Sequence, residues 1–320
     1  MTNHIMLAPM EGVLDHTLRG ILSSVGGIDR CVTEFARVSQ HPLKRKQILS
    51  ICPELNNGGY TSNNTPVYLQ LLGSDPDLMA ASAAIAADMG CVGVDINFGC
   101  PAKTVCNHNG GSVLLEQPDL VERIISATRS AMPSSVPLSV KIRLGFNDEA
   151  KLDDNIRAAI NGGADELCIH ARTRRQGYVA PAYWHKIESH RWPINIIANG
   201  EIWNTTDYQQ CRAQSGSTDI MLGRGLIAKP DLARMIKAQL DGTPYTAMTW
   251  QQVLGLIIHL QQTNIANYPE KHAGNRTKQW LMYLQREYSA AGAVFDAIKR
   301  FKSAFDILDY LQQESTQQSV

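Results

Sequence analysis

The chain has 320 residues, 44% of them hydrophobic, and its 30 Lys plus Arg match 30 Asp plus Glu for a formal net charge of zero. Such a chain can bury a sizeable core and is not disordered throughout; a zero balance argues against a surface basic all over but allows a local basic patch. No apolar run reaches the roughly 18 residues a bilayer span needs, and residues 1–10 are too short and mixed for a signal peptide, so a cytoplasmic protein is expected. The seven cysteines (Cys31, Cys52, Cys91, Cys100, Cys106, Cys168 and Cys211) are scattered, odd in number and without a Cys-x-x-Cys pair. Neither a disulfide framework nor a structural zinc site is expected of them.

Taken in chain order, short apolar runs predict strands over 5–10, 31–38, 66–73, 92–97, 137–144, 166–171, 194–199 and 219–223. Several are nearly continuous, as parallel strands buried on both faces require. Their starts recur every ~26 to 45 residues, the length of a strand, a helix and their loops. Helical spacing predicts helices over 78–89, 120–131, 152–160 and 232–240, with Pro76 and Pro230 placed where a first helical turn accepts proline. Eight such units predict an α/β fold, a (β/α)8 TIM barrel over 1–243. Beyond it, Thr249 and Gln252 form a capping-box signature. Helical spacing then continues over 276–287 and 292–313, without strand signals. A C-terminal all-helical domain over 244–320 is expected, with a frayed tail from 312.

In such a barrel the active site lies at the carboxyl ends of the strands. There the sequence places Pro9-Met10-Glu11, Glu34 with Arg37, Gln70, Asn97 leading to Cys100, Lys141 with Arg143, His170 with Arg172, Asn199-Gly200-Glu201 and Gly223-Arg224-Gly225. One polar strand end is unremarkable; eight in a ring predict a site. The turns at Asn199-Gly200 and Gly223-Arg224-Gly225 can offer backbone N–H groups to a phosphate, with simple turn glycines as the alternative. Lys141 closes an apolar strand and needs an anion or dipole opposite, either a reduced flavin ring or a carboxylate such as Glu34 or Glu201. Cys100, between Gly99 and Pro101, is placed as a thiol proton donor. Cys31, Cys91, Cys168 and Cys211 read as inert buried cysteines, and Cys106 and His108 as loop residues.

These motifs resemble the flavin-dependent tRNA-dihydrouridine synthases over essentially the whole chain. They are Leu7-Ala8-Pro9-Met10-Glu11-Gly12-Val13, Thr33-Glu34-Phe35, Gln70-Leu71-Leu72-Gly73, Val94-Asp95-Ile96-Asn97-x-Gly99-Cys100-Pro101-x-Lys103-Thr104-Val105, Lys141-Ile142-Arg143-Leu144-Gly145, His170-Ala171-Arg172-Thr173, Ala198-Asn199-Gly200-Glu201-Ile202 and Met221-Leu222-Gly223-Arg224-Gly225. Within that family, Arg276-Thr277-Lys278-Gln279-Trp280-Leu281-x-Tyr283-Leu284 is similar to the C subfamily. The resemblance implies a barrel that binds FMN, is reduced by NADPH and passes a hydride to C6 of a tRNA uracil, with Cys100 protonating C5. It implies Pro9, Met10, Glu11, Gln70, Lys141, His170, Asn199, Gly200, Glu201, Gly223 and Arg224 as FMN contacts. It implies Arg37, Asn97, Arg143, Arg276, Lys278, Tyr283 and Lys299 as tRNA contacts, and uridine 16 of the D-loop as target.

A base must leave its stack to enter a barrel mouth, and a loop nucleotide does so at least cost. Phe98 stands where the family has a smaller residue, and Cys106-Asn107-His108 where it has more glycine, so the catalytic loop departs from the pattern. A monomer that binds no metal and no membrane is expected. The alternatives are another FMN barrel reducing a free pyrimidine or enone, and a redox-silent tRNA-binding protein.

Overall fold

The computed structural model describes residues 3–317. Nine strands make one parallel sheet: β1 (Ile5–Leu7), β2 (Arg30–Val32), β3 (Ala36–Arg37), β4 (Val67–Leu72), β5 (Val94–Asn97), β6 (Leu138–Arg143), β7 (Glu166–His170), β8 (Asn195–Asn199) and β9 (Ile220–Leu222). The order β2-β1-β9-β8-β7-β6-β5-β4-β3, with β2 also paired to β4, closes the sheet on itself. β2 and β3 are two halves of one stave, so the barrel has eight staves and is the expected TIM barrel.

The single strand expected over 31–38 is broken at Thr33-Glu34-Phe35. There the Thr33 hydroxyl, in place of a main-chain carbonyl, accepts the Gln70 N–H at 2.9 Å, and the ladder resumes at Ala36. The first strand stops at Leu7 rather than Met10. Pro9 has no N–H to continue a ladder, and the Met10 carbonyl accepts Val13 and Leu14 in a turn.

Side chains alternate across each strand, and the two faces build two cores. Met6, Ala8, Val32, Tyr68, Cys168, Ile197 and Met221 fill the barrel interior, while Ile5, Leu7, Leu69, Leu71, Val140 and Ile169 face the surrounding helices. Helices stand at Pro76–Asp88, Pro118–Ser130, Leu152–Asn161 and Leu232–Asp241, within two residues of expectation at each end. Asp75 caps the first of them through the Leu78 N–H at 3.0 Å, with Pro76 in its first turn.

After Gly242, whose φ of +65° ends the last barrel helix, the chain is helical at Trp250–Asn267, Glu270–Ala273, Asn275–Leu284, Ser289–Ile298 and Ala304–Gln317. Thr249 and Gln252 form the capping box. The helix expected over 292–313 is two helices. Ser303 accepts the N–H groups of Phe305 and Asp306 and starts the second, and Lys278 Nζ takes the carbonyls of Lys299 (3.3 Å) and Phe301 (2.6 Å) at the break. The tail expected to fray from 312 is helical to Gln317, and residues 318–320 lie outside the described residues. This helical region shares the barrel's core. Trp280, 1% exposed, donates Nε1–H to the Ile227 carbonyl at 2.9 Å. Among the described residues no helix is long and apolar enough to cross a membrane.

Candidate active site

A cavity of about 740 Å³ opens at the carboxyl ends of the strands. Every residue named above for the cofactor lines it, as do Cys100, Arg37, Asn97, Arg143 and Tyr283. The barrel topology accounts for the convergence of the strand-end residues, because parallel strands deliver their last residues to one rim, and Tyr283 joins them from the helix Asn275–Leu284.

The wall made by β4, β5 and β6 is a hydrogen-bonded chain. Register sets Gln70 beside Asp95 and Asp95 beside Ser139. Asp95 accepts from Ser139 Oγ (2.6 Å) and Gln70 Nε2 (2.7 Å). Gln70 Oε1 accepts from Asn97 Nδ2 (2.8 Å), and Asn97 Oδ1 accepts the N–H groups of Gly99 and Cys100, both at 2.9 Å. From the far side Ser112 closes on the Cys100 carbonyl, through its N–H at 3.0 Å and its hydroxyl at 2.8 Å. Gly111 lies so close (φ +62°) that a Cβ there would sit 2.8 Å from that same oxygen. The cysteine is thus clamped at both its N–H and its C=O, with its side chain half-buried at the cavity. Burial pushes the Cys100 thiol up from its ordinary value, against the opposing pull of the Ala102 N–H. It is protonated at neutral pH.

The opposite wall, β7 to β9, is cationic. Arg172 and Arg224 both reach Glu201, the former in close contact and the latter at 3.2 Å, and Trp203 Nε1 donates to the same carboxylate at 2.9 Å. Burial works against the charge on Glu201, but these hydrogen bonds and cations bring its carboxyl below the usual range. His170 is held well below the imidazole range, first by burial and then by Arg143, Lys141, Arg172 and Arg224, so its ring is neutral. Its Nδ1 has no hydrogen-bond partner among the described residues. Gly200, at φ +115°, brings its backbone against that ring, where a Cβ would lie 3.2 Å from it. Between the walls, Lys141 Nζ donates to Asn199 Oδ1 at 3.0 Å, and Asn199 Nδ2 donates to the Met221 carbonyl at 2.8 Å. Neither Glu34 nor Glu201 pairs with it, and burial lowers the ammonium's pKa. Glu34 instead accepts the Gly12 N–H at 2.5 Å.

The residues expected to meet tRNA divide. Arg37, Asn97, Arg143 and Tyr283 line the cavity. Arg143, however, is 3% exposed and ties loops together, bonding Gly99 O (2.8 Å) and Gly177 O (3.0 Å). Arg276 lies at the foot of the helical region in close contact with the Gly12 carbonyl and 3.5 Å from Asp15, Lys278 caps the helix break, and Lys299 pairs with Asp296 at 2.7 Å. Arg172 is fully buried behind Glu201 and does not line the cavity. Lys299 to Lys302 end one helix and turn toward the next rather than lying along one. Cys106 is no mere loop residue. It is buried, with Sγ 3.7 Å from the Cys100 carbonyl and 3.6 Å from Ser112 Oγ. Phe98 turns into the core at 0% exposure and does not line the cavity, so its size leaves the cavity unchanged.

Sequence reasoning missed Ser139, Ser112, Tyr178 and Trp203, and gave Asp95 a place in a motif but no role. A signal for Asp95 existed. Asp95 and Asn97 are two apart in a strand and share a face, and a carboxylate there has no solvent to meet. Tyr178 stands between Arg143 and Arg224, each 5.0 Å from its ring, and Trp203 between Arg224 (5.1 Å) and Arg286 (3.8 Å). Nothing in the linear sequence brings those five residues together.

Residues 6–318 match the family described as dihydrouridine synthase. The chain belongs to that family. It is 44% identical over 97% of its length to a Shewanella oneidensis protein named tRNA-dihydrouridine(16) synthase, covering 97% of that protein. Proteins of the same name from Ralstonia nicotianae (42% identical, 97% of this chain, 95% of the relative) and Haemophilus influenzae (42%, 95% and 97%) are similarly close. Solved structures of a 2-naphthoyl-CoA reductase complex (12% identical, TM-score 0.54) and a Rhizobium histamine dehydrogenase (13%, TM-score 0.56) each match 75% of the chain. The chain spans about half the length of both, 50% and 46%, and the likeness is one of barrel fold.

Proposed function

We propose that this dihydrouridine synthase reduces uridine 16 in the D-loop of tRNA, with FMN as resident cofactor, NADPH as electron donor and Cys100 as proton donor, in the cytoplasm. The observation that carries the reading is the pairing, in one cavity, of a doubly clamped cysteine loop with a cationic wall that has an unpartnered ring nitrogen. The cationic wall fits a flavin mononucleotide. The His170 Nδ1 lacks a partner, Gly200 brings its backbone against the His170 ring where a Cβ would crowd it, and Arg224 is shared with a single carboxylate. Buried Lys141 meets only a neutral amide oxygen and is free to face an anionic ring. One phosphate cradle supports FMN over a dinucleotide.

Bound FMN supplies the hydride that adds to C6 of the uracil. The rest falls to the chain's own side chains. Gly200, Gly223 and Arg224 would hold the phosphate, and Lys141, Asn199 and Gln70 the ring. Cys100, kept protonated by burial, gives its proton to C5, so the C5–C6 double bond is saturated by one hydride and one proton. Arg37 and Tyr283, at the cavity's edge, are placed to receive the nucleotide; Tyr283 brings a helical-region side chain to the barrel mouth.

The test is the purified protein with NADPH and unmodified tRNA, dihydrouridine being mapped by position and the released cofactor identified by chromatography. Dihydrouridine at position 16 and released FMN are expected. Reduction of free uridine in preference to tRNA would overturn the substrate, and stoichiometric FAD the cofactor.

A further inference from the structure

Asp95 and Ser139 sit beneath the cysteine loop at 1% and 2% exposure, and the proposed chemistry uses neither of them. Their bonds run in one direction. An ionised carboxylate only accepts, whereas a primary amide has one donor end and one accepting end. Asp95 Oδ2 therefore calls the Nε2 end of Gln70 toward itself, at 2.7 Å. Gln70 must then present Oε1 to Asn97, whose Nδ2 lies 2.8 Å away. With its donor end committed, Asn97 turns Oδ1 to the N–H groups of Gly99 and Cys100. Each bond decides the direction of the next.

We propose that Asp95 is a positioning residue for the proton transfer: its acceptor-only character, passed through Gln70 and Asn97, orients the anchor that holds the Cys100 loop. The inference rests on the reading of Cys100 as proton donor. Ser139 completes the set by filling the second carboxylate oxygen at 2.6 Å. A relay of this kind lets a buried group steer a loop it does not touch, and it needs three adjacent staves in register, which β4, β5 and β6 supply. Burial raises the Asp95 carboxyl to about 6, and the hydrogen bonds from Ser139 and Gln70 and the charges of Lys141 and Arg30 pull the other way, so it remains ionised at neutral pH.

Reversing the polarity tests it. Gln70→Glu sets two carboxylates side by side, neither able to donate, so the anchor should loosen. Gln70→Glu combined with Asp95→Asn puts a donor back. The new amide gives its N–H to the new carboxylate, which accepts from Asn97 as before, and Ser139 still donates to the amide oxygen. Residue 70 is Glu in both proteins, so any effect on the flavin cancels between them.

The readout is the rate at which NADPH-reduced, flavin-loaded enzyme passes its electrons to tRNA. The single variant should be about tenfold slower or worse than the parent, the scale of a buried unmatched polar pair. It should recover as pH falls and one carboxylate takes up a proton. The double variant should regain most of the rate and lose that pH dependence. Equal rates in single and double variants overturn the proposal. If the single variant does not fold, the double variant must fold and turn over; a double variant that also fails overturns it too. Parental activity in Cys100→Ala would instead sink the proton-donor reading itself, so the two failures are told apart.

Discussion

The two walls of the cavity are built on opposite principles. On the β4–β6 side the polar atoms from Ser139 to the N–H of Cys100 are paired within the protein around one buried carboxylate, with Lys141 and Arg143 near the end of β6. On the β7–β9 side cations outnumber carboxylates, a neutral imidazole has a ring nitrogen without a partner among the described residues, and a glycine lets the backbone pass against that ring. A satisfied hydrogen-bond network is rigid and holds a protein group in place. A wall left short of one anion holds its ligand instead. The difference teaches which side serves the protein's own acid and which side receives something from outside.

The largest effect is expected where the first wall ends. Cys100→Ala should slow uracil reduction by ~100-fold or more while leaving flavin reduction by NADPH intact. Single-turnover assays of the two half-reactions separate these, and an unchanged transfer to tRNA would show that the clamped loop serves folding alone. Cys106→Ala, which loses only weak sulfur contacts, is the control.

On the second wall, Gly200→Ala puts a methyl against the His170 ring at a backbone angle that suits glycine. Flavin affinity should fall by roughly ten- to a hundredfold, the cost of strain of about 1 to 3 kcal/mol, measured by titrating FMN into flavin-free protein. Affinity that Gly200→Ala leaves unchanged would erase the contrast between the walls.

Acid should act on the two walls in opposite senses. Burial raises Asp95 to about 6, so between about 4 and about 6 the folded state binds the extra proton and stability rises as pH falls, by up to about 3 kcal/mol. His170 is neutral in the fold and charged when unfolded below about 6.5. There the unfolded state binds the extra proton, and stability falls as pH falls. Urea titrations of flavin-free protein at a series of pH values should show His170→Asn losing the acid-side destabilisation and Asp95→Asn losing the acid-side gain. The same sign carried by both variants would refute the assignment. Cys100 adds a kinetic limb. A raised thiol pKa keeps the acid loaded, so the tRNA half-reaction should hold level through neutral pH and fall only above the ordinary thiol range near 8.5.

The smallest effect is expected outside both walls. Lys278→Ala removes the donor to the carbonyls of Lys299 and Phe301, and should lower stability by about 1 kcal/mol. Loss of tRNA affinity without loss of stability would return this lysine to the RNA surface, where its sequence context first put it.

Much of this molecule was legible before any coordinates. Apolar runs at a steady interval give the eight staves, and the residue closing each run marks the rim, because both depend on local periodicity and on the fixed polarity of parallel strands. Gly200, Lys141, His170 and Cys100 were found that way. Charge partners were not, since a side chain's partner is set by what register and loop closure bring within 3 Å, not by its neighbours in sequence. Arg172, Arg276 and Lys278 look alike as cations in the sequence. In the fold one is buried behind Glu201, one latches the helical region to the β1 loop, and one caps a helix break. Asp95 is the plainest case: its presence in a strand is local information, while its hold on a cysteine five residues later passes through a glutamine twenty-five residues earlier, and only the pairing of β4 with β5 makes that path.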